Sequence, residues 1–142
     1  MNFVTILKIA TVAVALSNIP IVHADIHKHT TIGEEAKTHA EVGMLELKKL
    51  MKSNSVVLID ANSKTSFERG HLPGAISYAV HEKNLSSFLP QDKSSLIVVY
   101  CGGPTCSNWE EAAESASKAG YSNVKHFTAG LQGWKNSGLA LE

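Results

Sequence analysis

The chain has 142 residues, of which 44% are hydrophobic and 18% charged, and 13 basic residues balance 13 acidic ones at a formal net charge of zero. This length and composition predict one globular domain and exclude a disordered or fibrous chain. The balanced charge gives no reason to expect a nucleic-acid partner.

The first 24 residues predict a secretory signal peptide. Lys8 is their only Lys, Arg, Asp or Glu, an apolar run from Ile9 to Leu16 follows, and Val22-His23-Ala24 fits the small-residue rule before a cleavage point. Pro20 and polar residues interrupt the run short of the roughly 20 apolar residues that a membrane span requires. We therefore expect a periplasmic or secreted protein without a stable membrane span after cleavage.

Residues 25–37 are polar, without apolar periodicity, and predict a flexible arm before a folded domain at 38–142. His27, His29 and the nearby His39 are potential metal ligands. No carboxylate or thiol stands at a spacing that would complete a site, so we expect neither a metal nor a cofactor.

The domain alternates predicted helices and strands. Apolar spacing predicts a helix from Val42 to Met51, and continuous apolar runs predict buried strands at Val56–Ile59 and Leu96–Tyr100. The remaining segments give weaker signals: strands at 75–80 and 124–127, and helices at 65–69 and 81–89. This alternation predicts an α/β fold with a mostly parallel central sheet and helices on both faces.

A further helix is predicted after Ser107. Ser107 and Glu110 match the spacing of a capping box, and Gly120 is a typical stop signal. Small apolar residues at helical spacing would let this helix pack closely against the sheet.

Cys101 is the main candidate for chemistry because it ends a predicted buried strand. Open α/β sheets bind ligands at this edge. Gly102 and Gly103 permit torsions that side chains forbid, so loop N–H groups are able to surround the sulfur, and the following helix dipole would lower the thiol pKa. The alternative is an inert, buried cysteine.

The second cysteine, Cys106, has two possible roles. It is either a redox partner of Cys101 or a small residue packed under the helix start. Sequence separation alone does not say whether the two β-carbons approach to about 4 Å. The two cysteines lie too close in sequence to staple the fold, so their proximity indicates chemistry before stability.

Several segments together resemble the rhodanese family across nearly the whole domain. They are VVLIDAN with Asp60, FERGHLPGAI with His71, LIVVYCGGPTCS, AGYSNVKHFTAG, and GLQGW with Trp134. The resemblance implies sulfurtransferase activity: Cys101 is the catalytic position and carries sulfur as a persulfide. The implied donor is thiosulfate or a small persulfide, and the implied acceptor is cyanide, a small thiol or a partner thiol protein.

The resemblance also assigns the loop. Its substrate-binding cradle is formed by Gly102, Gly103, Pro104, Thr105, Cys106 and Ser107. Asp60, His71 and Trp134 correspond to motif positions that we interpret as structural: Asp60 ties down a loop, His71 bonds to backbone at a tight turn, and Trp134 anchors the core.

The chain departs from the family pattern at two positions. Members commonly carry arginine where this chain has Cys106 and Asn62, so recognition of thiosulfate would rest on backbone amides and the helix dipole. A phosphatase is disfavoured because the loop is one residue short and lacks the arginine.

Three functions remain open. The first is sulfur carriage by Cys101, in which Cys106 could also attack the persulfide and release sulfide. The second is a thiol-disulfide oxidoreductase or redox sensor that uses the Cys101/Cys106 pair. The third is a non-catalytic binding module of rhodanese type.

Overall fold

The computed structural model describes residues 39–142, which belong to one unit of structure, Ala36–Glu142. The predicted signal peptide and polar arm lie outside the described residues. Within the described part, no helix is long and apolar enough to cross a membrane. No group of side chains between residues 39 and 142 is arranged to hold a metal ion.

Strands and helices alternate along residues 39–142. In chain order they are β1 (Ala40–Glu41), α1 (Met44–Lys52), β2 (Val57–Asp60), α2 (Lys64–Glu68), β3 (Ile76–Ser77), α3 (Tyr78–His81), a 3-10 helix (Glu82–Phe88), β4 (Ile97–Tyr100), α4 (Asn108–Lys118), β5 (Val124–His126) and α5 (Gly130–Asn136).

The strands form one parallel sheet in the order β1-β5-β4-β2-β3. Strand β4 is central: Val98 pairs with Leu58 of β2 on one side and with Lys125 of β5 on the other. All four residues of β4 are buried, which explains its continuous apolar sequence. The predicted α/β fold with a parallel sheet is confirmed.

Two hydrophobic clusters cover the two faces of the sheet. Val99 and Cys101 face a cluster that includes the alanines of α4 and Leu85 of the 3-10 helix. Val98 and Tyr100 face the other cluster, which contains Leu47 of α1 and residues of α5. Successive residues of β4 therefore contact opposite layers, and helices protect both faces from water.

Two predicted elements end earlier or begin later than expected. The strand predicted at 75–80 is only Ile76–Ser77, because the chain turns into α3 at Tyr78, whose ring is buried. Val42 lies outside α1: its N–H donates to the His126 carbonyl at 2.8 Å and extends the pairing of β1 with β5.

The predicted capping box does not form. Ser107 stands at the N-cap of α4, but its side chain makes no capping hydrogen bond, and its φ and ψ of −106° and −6° are already close to helical. A capping side chain normally requires extended backbone at that residue. The stop is as predicted, since Gly120 follows the C-cap with a φ of +97°.

Candidate active site: the Cys101 loop

Cys101 follows directly on the central strand β4 and is only 1% exposed. Because β4 runs parallel between β2 and β5, its last residue lies at the carboxyl edge of the sheet. The loop from Cys101 to Ser107, called the cysteine loop below, then leads into α4. The thiol position is therefore set by the most buried strand of the fold.

The two cysteines of this loop are joined. Cys101 and Cys106 form a disulfide, with their Cα atoms 6.3 Å apart. The amide of Cys106 donates to the Gly103 carbonyl at 3.1 Å, which folds the loop back on itself. The sequence left open whether Cys101 and Cys106 come close enough to form a bond, and the structure shows that they do.

Helix α5 holds the start of the cysteine loop. The N–H of Leu131 donates to the Cys101 carbonyl at 2.8 Å, and the N–H of Gln132 donates to the Gly102 carbonyl at 2.9 Å. Amides in the first turn of a helix have no partner within the helix. The loop carbonyls supply those partners, so α5 and the loop fix each other.

Gly130 makes this contact possible and was missed by the sequence analysis. Its φ is +58°, and a β-carbon there would lie 2.5 Å from the Cys101 carbonyl oxygen and 2.8 Å from the Gly103 nitrogen. Both the torsion and the close approach exclude other residues. Its only sequence signal is its place as the first glycine of GLQGW, a segment in which the sequence drew attention to Trp134 alone.

Gly102 and Gly103 act differently from the expectation. Neither has a φ in the left-handed region. A β-carbon at Gly103 would lie 3.3 Å from Oε1 of Gln132, which is a tight contact, while one at Gly102 would lie 3.6 Å from Oδ1 of Asn62, which is an ordinary van der Waals distance. The expectation of forbidden torsions in this loop was wrong, because the strained torsion belongs to Gly130.

The cysteine loop retains backbone donors. Among residues 39–142, the N–H groups of Gly102, Gly103, Thr105 and Ser107 donate to no protein acceptor, and Pro104 has no N–H to offer. Unpaired backbone N–H groups are strong donors that an anion in the loop would satisfy. The loop itself carries no Lys or Arg, so these amides are its main source of positive potential.

Asp60 is fully buried at the end of the neighbouring strand β2. Its Oδ1 accepts hydrogen bonds from the backbone N and from Nδ2 of Asn62, both at 2.7 Å. Its Oδ2 accepts one from the Tyr100 hydroxyl at 2.7 Å. With these three donors Asp60 is committed to structural bonds at the strand end.

Tyr100 is a second residue that the sequence analysis missed, although it immediately precedes Cys101. Its hydroxyl donates to Asp60 and accepts from the Leu72 N–H at 3.0 Å. Burial, followed by the nearby Asp60 charge, raises the pKa of Tyr100. The phenol therefore stays neutral and ties β4 to β2 and to the Leu72 turn.

The other two motif residues contact parts of the backbone. Nδ1 of His71 donates to the Phe67 carbonyl at 2.9 Å, and the imidazole stacks on the Phe67 ring at 3.6 Å. Trp134 is buried and its Nε1 donates to the Ala140 carbonyl at 2.8 Å. These bonds fasten the turn after α2 and the end of the chain.

A buried histidine lies on β5, beside the strand that leads to Cys101. His126 stacks on Trp109 of α4 with ring centroids 3.8 Å apart. Its Nδ1 is 3.4 Å from the Thr128 hydroxyl, and its Nε2 has no partner within residues 39–142. Burial is the main cause that lowers the pKa of His126, so the imidazole is neutral near pH 7.

Comparison with known proteins places this site in a family. The model of the Rhodanese-like domain matches residues 44–137. The chain is 31% identical over 110 residues to the HTH-type transcriptional regulator Rv0324 of Mycobacterium tuberculosis, which covers 77% of this chain and 45% of the regulator. The chain thus spans less than half the length of that relative.

Two further matches have comparable coverage of the chain. Protein YibN of Escherichia coli K12 is 27% identical over 99 residues, which covers 68% of this chain and 67% of YibN. The structure of the human single-domain sulfurtransferase TSTD1 superimposes with a TM-score of 0.58 at 20% identity, covering 70% of this chain and 97% of TSTD1. At this identity the superposition shows a shared fold.

Proposed function

The chain belongs to the family of rhodanese-like domains, and on that premise we propose that it is a sulfurtransferase in which Cys101 carries sulfane sulfur as a persulfide. The observation that carries the proposal is the cysteine loop. It combines a thiol position at the carboxyl edge of the sheet with N–H groups that donate to no protein acceptor in the described chain.

The proposed reaction is a double displacement that begins from the reduced protein. The Cys101 thiolate attacks the outer sulfur of a donor, the donor's inner sulfur leaves with its electron pair, and a persulfide remains on Cys101. An acceptor thiol or cyanide then attacks the outer sulfur and releases the Cys101 thiolate. The loop amides stabilise the anionic sulfur in both states.

The charges near the loop favour a weakly charged donor. The cysteine loop has no basic residue, and two carboxylates, Glu110 and Glu111, lie in the first turn of α4. A dianion such as thiosulfate meets no ion-pair partner in this loop, while cysteine persulfide, whose ammonium offsets its carboxylate, needs less compensation. We propose the small persulfide as the better donor, in an exported protein whose surroundings also permit the disulfide.

Intact-mass spectrometry tests the proposal directly. The protein is reduced, freed of reductant and exposed to glutathione persulfide or thiosulfate, with Cys101→Ser and Cys106→Ser as a matched pair of variants. We expect Cys106→Ser to gain about 32 Da, one sulfur atom, and Cys101→Ser to show no such gain. A Cys106→Ser protein that never acquires sulfur would reject the sulfurtransferase proposal.

A second candidate function is thiol-disulfide exchange, which the bond between Cys101 and Cys106 favours. In that case the pair passes two electrons to or from a partner thiol and no sulfane sulfur is involved. The same spectra separate the two functions: exchange alone gives a loss of about 2 Da in the wild type and no sulfur adduct on either variant.

A further inference from the structure

We propose that Cys106 is the resolving thiol of this site: it attacks Sγ of the Cys101 persulfide and expels the sulfane sulfur as hydrosulfide. This inference rests on the proposed persulfide function and extends it. It makes the protein a sulfide-releasing enzyme that requires a thiol reductant, with no need for a separate sulfur acceptor.

The first support is the position of the two sulfur atoms. They are bonded to each other in a loop whose fold is set by other contacts: the bonds from α5 to Cys101 and Gly102, and the bond from the Cys106 amide to Gly103. These are backbone hydrogen bonds that involve neither sulfur atom. We therefore expect Cys106 to stay beside Cys101 after reduction, at a high effective concentration relative to any thiol in solution.

The second support is the difference in access. Cys101 is 1% exposed, while Cys106 is only partly buried and packs against the same hydrophobic cluster. An external thiol has to enter the loop to reach the sulfur on Cys101. The Cys106 side chain already lies there, so intramolecular attack has the advantage of proximity.

The proposed step balances in atoms and electrons. A bond forms between Sγ of Cys106 and Sγ of Cys101, and the bond from Sγ of Cys101 to the outer sulfur breaks. The outer sulfur leaves with the electron pair and takes up the proton from the Cys106 thiol, giving hydrosulfide. Cys106 is oxidised and the sulfane sulfur is reduced, and two external thiols then reduce the disulfide and become a disulfide themselves.

The absence of a basic residue from the loop suits this step. The persulfide anion is held by amides alone, without a Lys or Arg in the loop that would retain an anionic leaving group. Hydrosulfide is also a weaker base than an alkyl thiolate, and thiol exchange is faster when the leaving sulfur is less basic. Hydrosulfide is therefore a competent leaving group for attack by Cys106.

A single-turnover experiment tests the inference on the full chain. The reduced protein, free of other thiols, receives cysteine persulfide with an isotope-labelled sulfane sulfur, and labelled sulfide and protein mass are followed together. We expect the wild type to release one labelled sulfide for each Cys101–Cys106 disulfide formed. Cys106→Ser should instead keep the labelled sulfur on the protein and release sulfide only after dithiothreitol is added.

The two proposals fail in different ways. A stable labelled adduct on the wild type, without sulfide or disulfide, would overturn the resolving role and leave the carrier function intact. Disulfide formation without labelled sulfide, together with an unlabelled Cys106→Ser, would overturn both. The wild-type stoichiometry alone decides the resolving role if the serine variant folds poorly, which thermal unfolding of each protein will reveal.

Discussion

Two loops at the carboxyl edge of the sheet are held in opposite ways. The loop after β2 is held by a side chain, since the buried carboxylate of Asp60 accepts three hydrogen bonds from Asn62 and Tyr100. The cysteine loop after β4 is held by its own carbonyls, which accept from α5, and its two cysteines are joined by the disulfide. In the loop after β2, the Asp60 carboxylate is fully used in hydrogen bonds within the protein. In the cysteine loop, carbonyls are used in this way, and several N–H groups remain available for a ligand.

The contact between α5 and the cysteine loop offers the largest effect. Gly130→Ala places a methyl group 2.5 Å from the Cys101 carbonyl oxygen at a φ of +58°. We expect the unfolding free energy to fall by about 4 kcal/mol and the loading of sulfur on Cys101 to be lost. The measurement is urea denaturation followed by intact mass.

Gly138→Ala is the matched control for this substitution. Gly138 has a similar φ of +69°, but a β-carbon there meets nothing within 4 Å. Gly138→Ala should lower the unfolding free energy by only about 1 kcal/mol and leave sulfur loading unchanged. Equal losses in the two variants would show that crowding against the loop is unimportant.

The next largest effect concerns the loop after β2. Tyr100→Phe removes the buried hydroxyl that donates to the Asp60 carboxylate and accepts from the Leu72 N–H. We expect the unfolding free energy to fall by about 3 kcal/mol. Sulfur loading of Cys101 should persist at temperatures where the variant is folded, because α5 still holds the cysteine loop.

Tyr78→Phe serves as the control for Tyr100→Phe. It removes a tyrosine hydroxyl whose hydrogen bond to Ser115 is only partly buried, so we expect the unfolding free energy to fall by about 1 kcal/mol. If Tyr100→Phe abolished loading while remaining folded, the two loops would have to be regarded as one functional unit.

A cation placed between the loops should change the choice of donor. Oδ1 of Asn62 lies close to Gly102, so Asn62→Arg directs a guanidinium toward the cysteine loop. We expect kcat/KM for thiosulfate to rise by about tenfold, or about 1.4 kcal/mol in transition-state stabilisation. Asn62→Gln replaces the native side chain without adding charge and should show no rise. An equal rise of Asn62→Arg with a neutral donor would argue against electrostatic recognition.

The smallest effect is a pH dependence that arises from His126 on β5, the strand beside β4. Burial lowers the pKa of His126, while Glu41 and Glu110 act to raise it and His39 to lower it. The unfolded chain then binds the proton more readily, so stability is highest above about pH 6.5 and falls as the pH is lowered toward the folded-state pKa.

Urea denaturation at about pH 7.5 and about pH 5.5 measures this dependence. His126→Gln should reduce the loss of stability on acidification, because the variant has no imidazole to protonate at this position. An unchanged pH profile would mean that other groups account for the dependence and that the stacked His126 contributes little to it.

Local sequence signals were sufficient for much of the fold. The apolar run before Cys101 predicted the buried central strand, and Gly120 predicted the end of α4. They failed where a distant contact decides the outcome: the short β1 forms because it pairs with β5, and the strand predicted through Val80 stops at Ser77. Strand pairing and burial that depend on distant residues produce no local periodicity of apolar residues, so the sequence pattern does not predict them.

The site divides along the same line. The candidate residues for chemistry were already evident from the order of residues: a cysteine at the end of a buried parallel strand, a short loop without a cation, and a second thiol five positions on. Three contacts became evident only in the folded chain: the two sulfurs bond, the Tyr100 hydroxyl donates to Asp60, and Gly130 lies against the loop. The physical reason is that these contacts join residues brought together by packing of the sheet and α5, which local torsional preference does not specify.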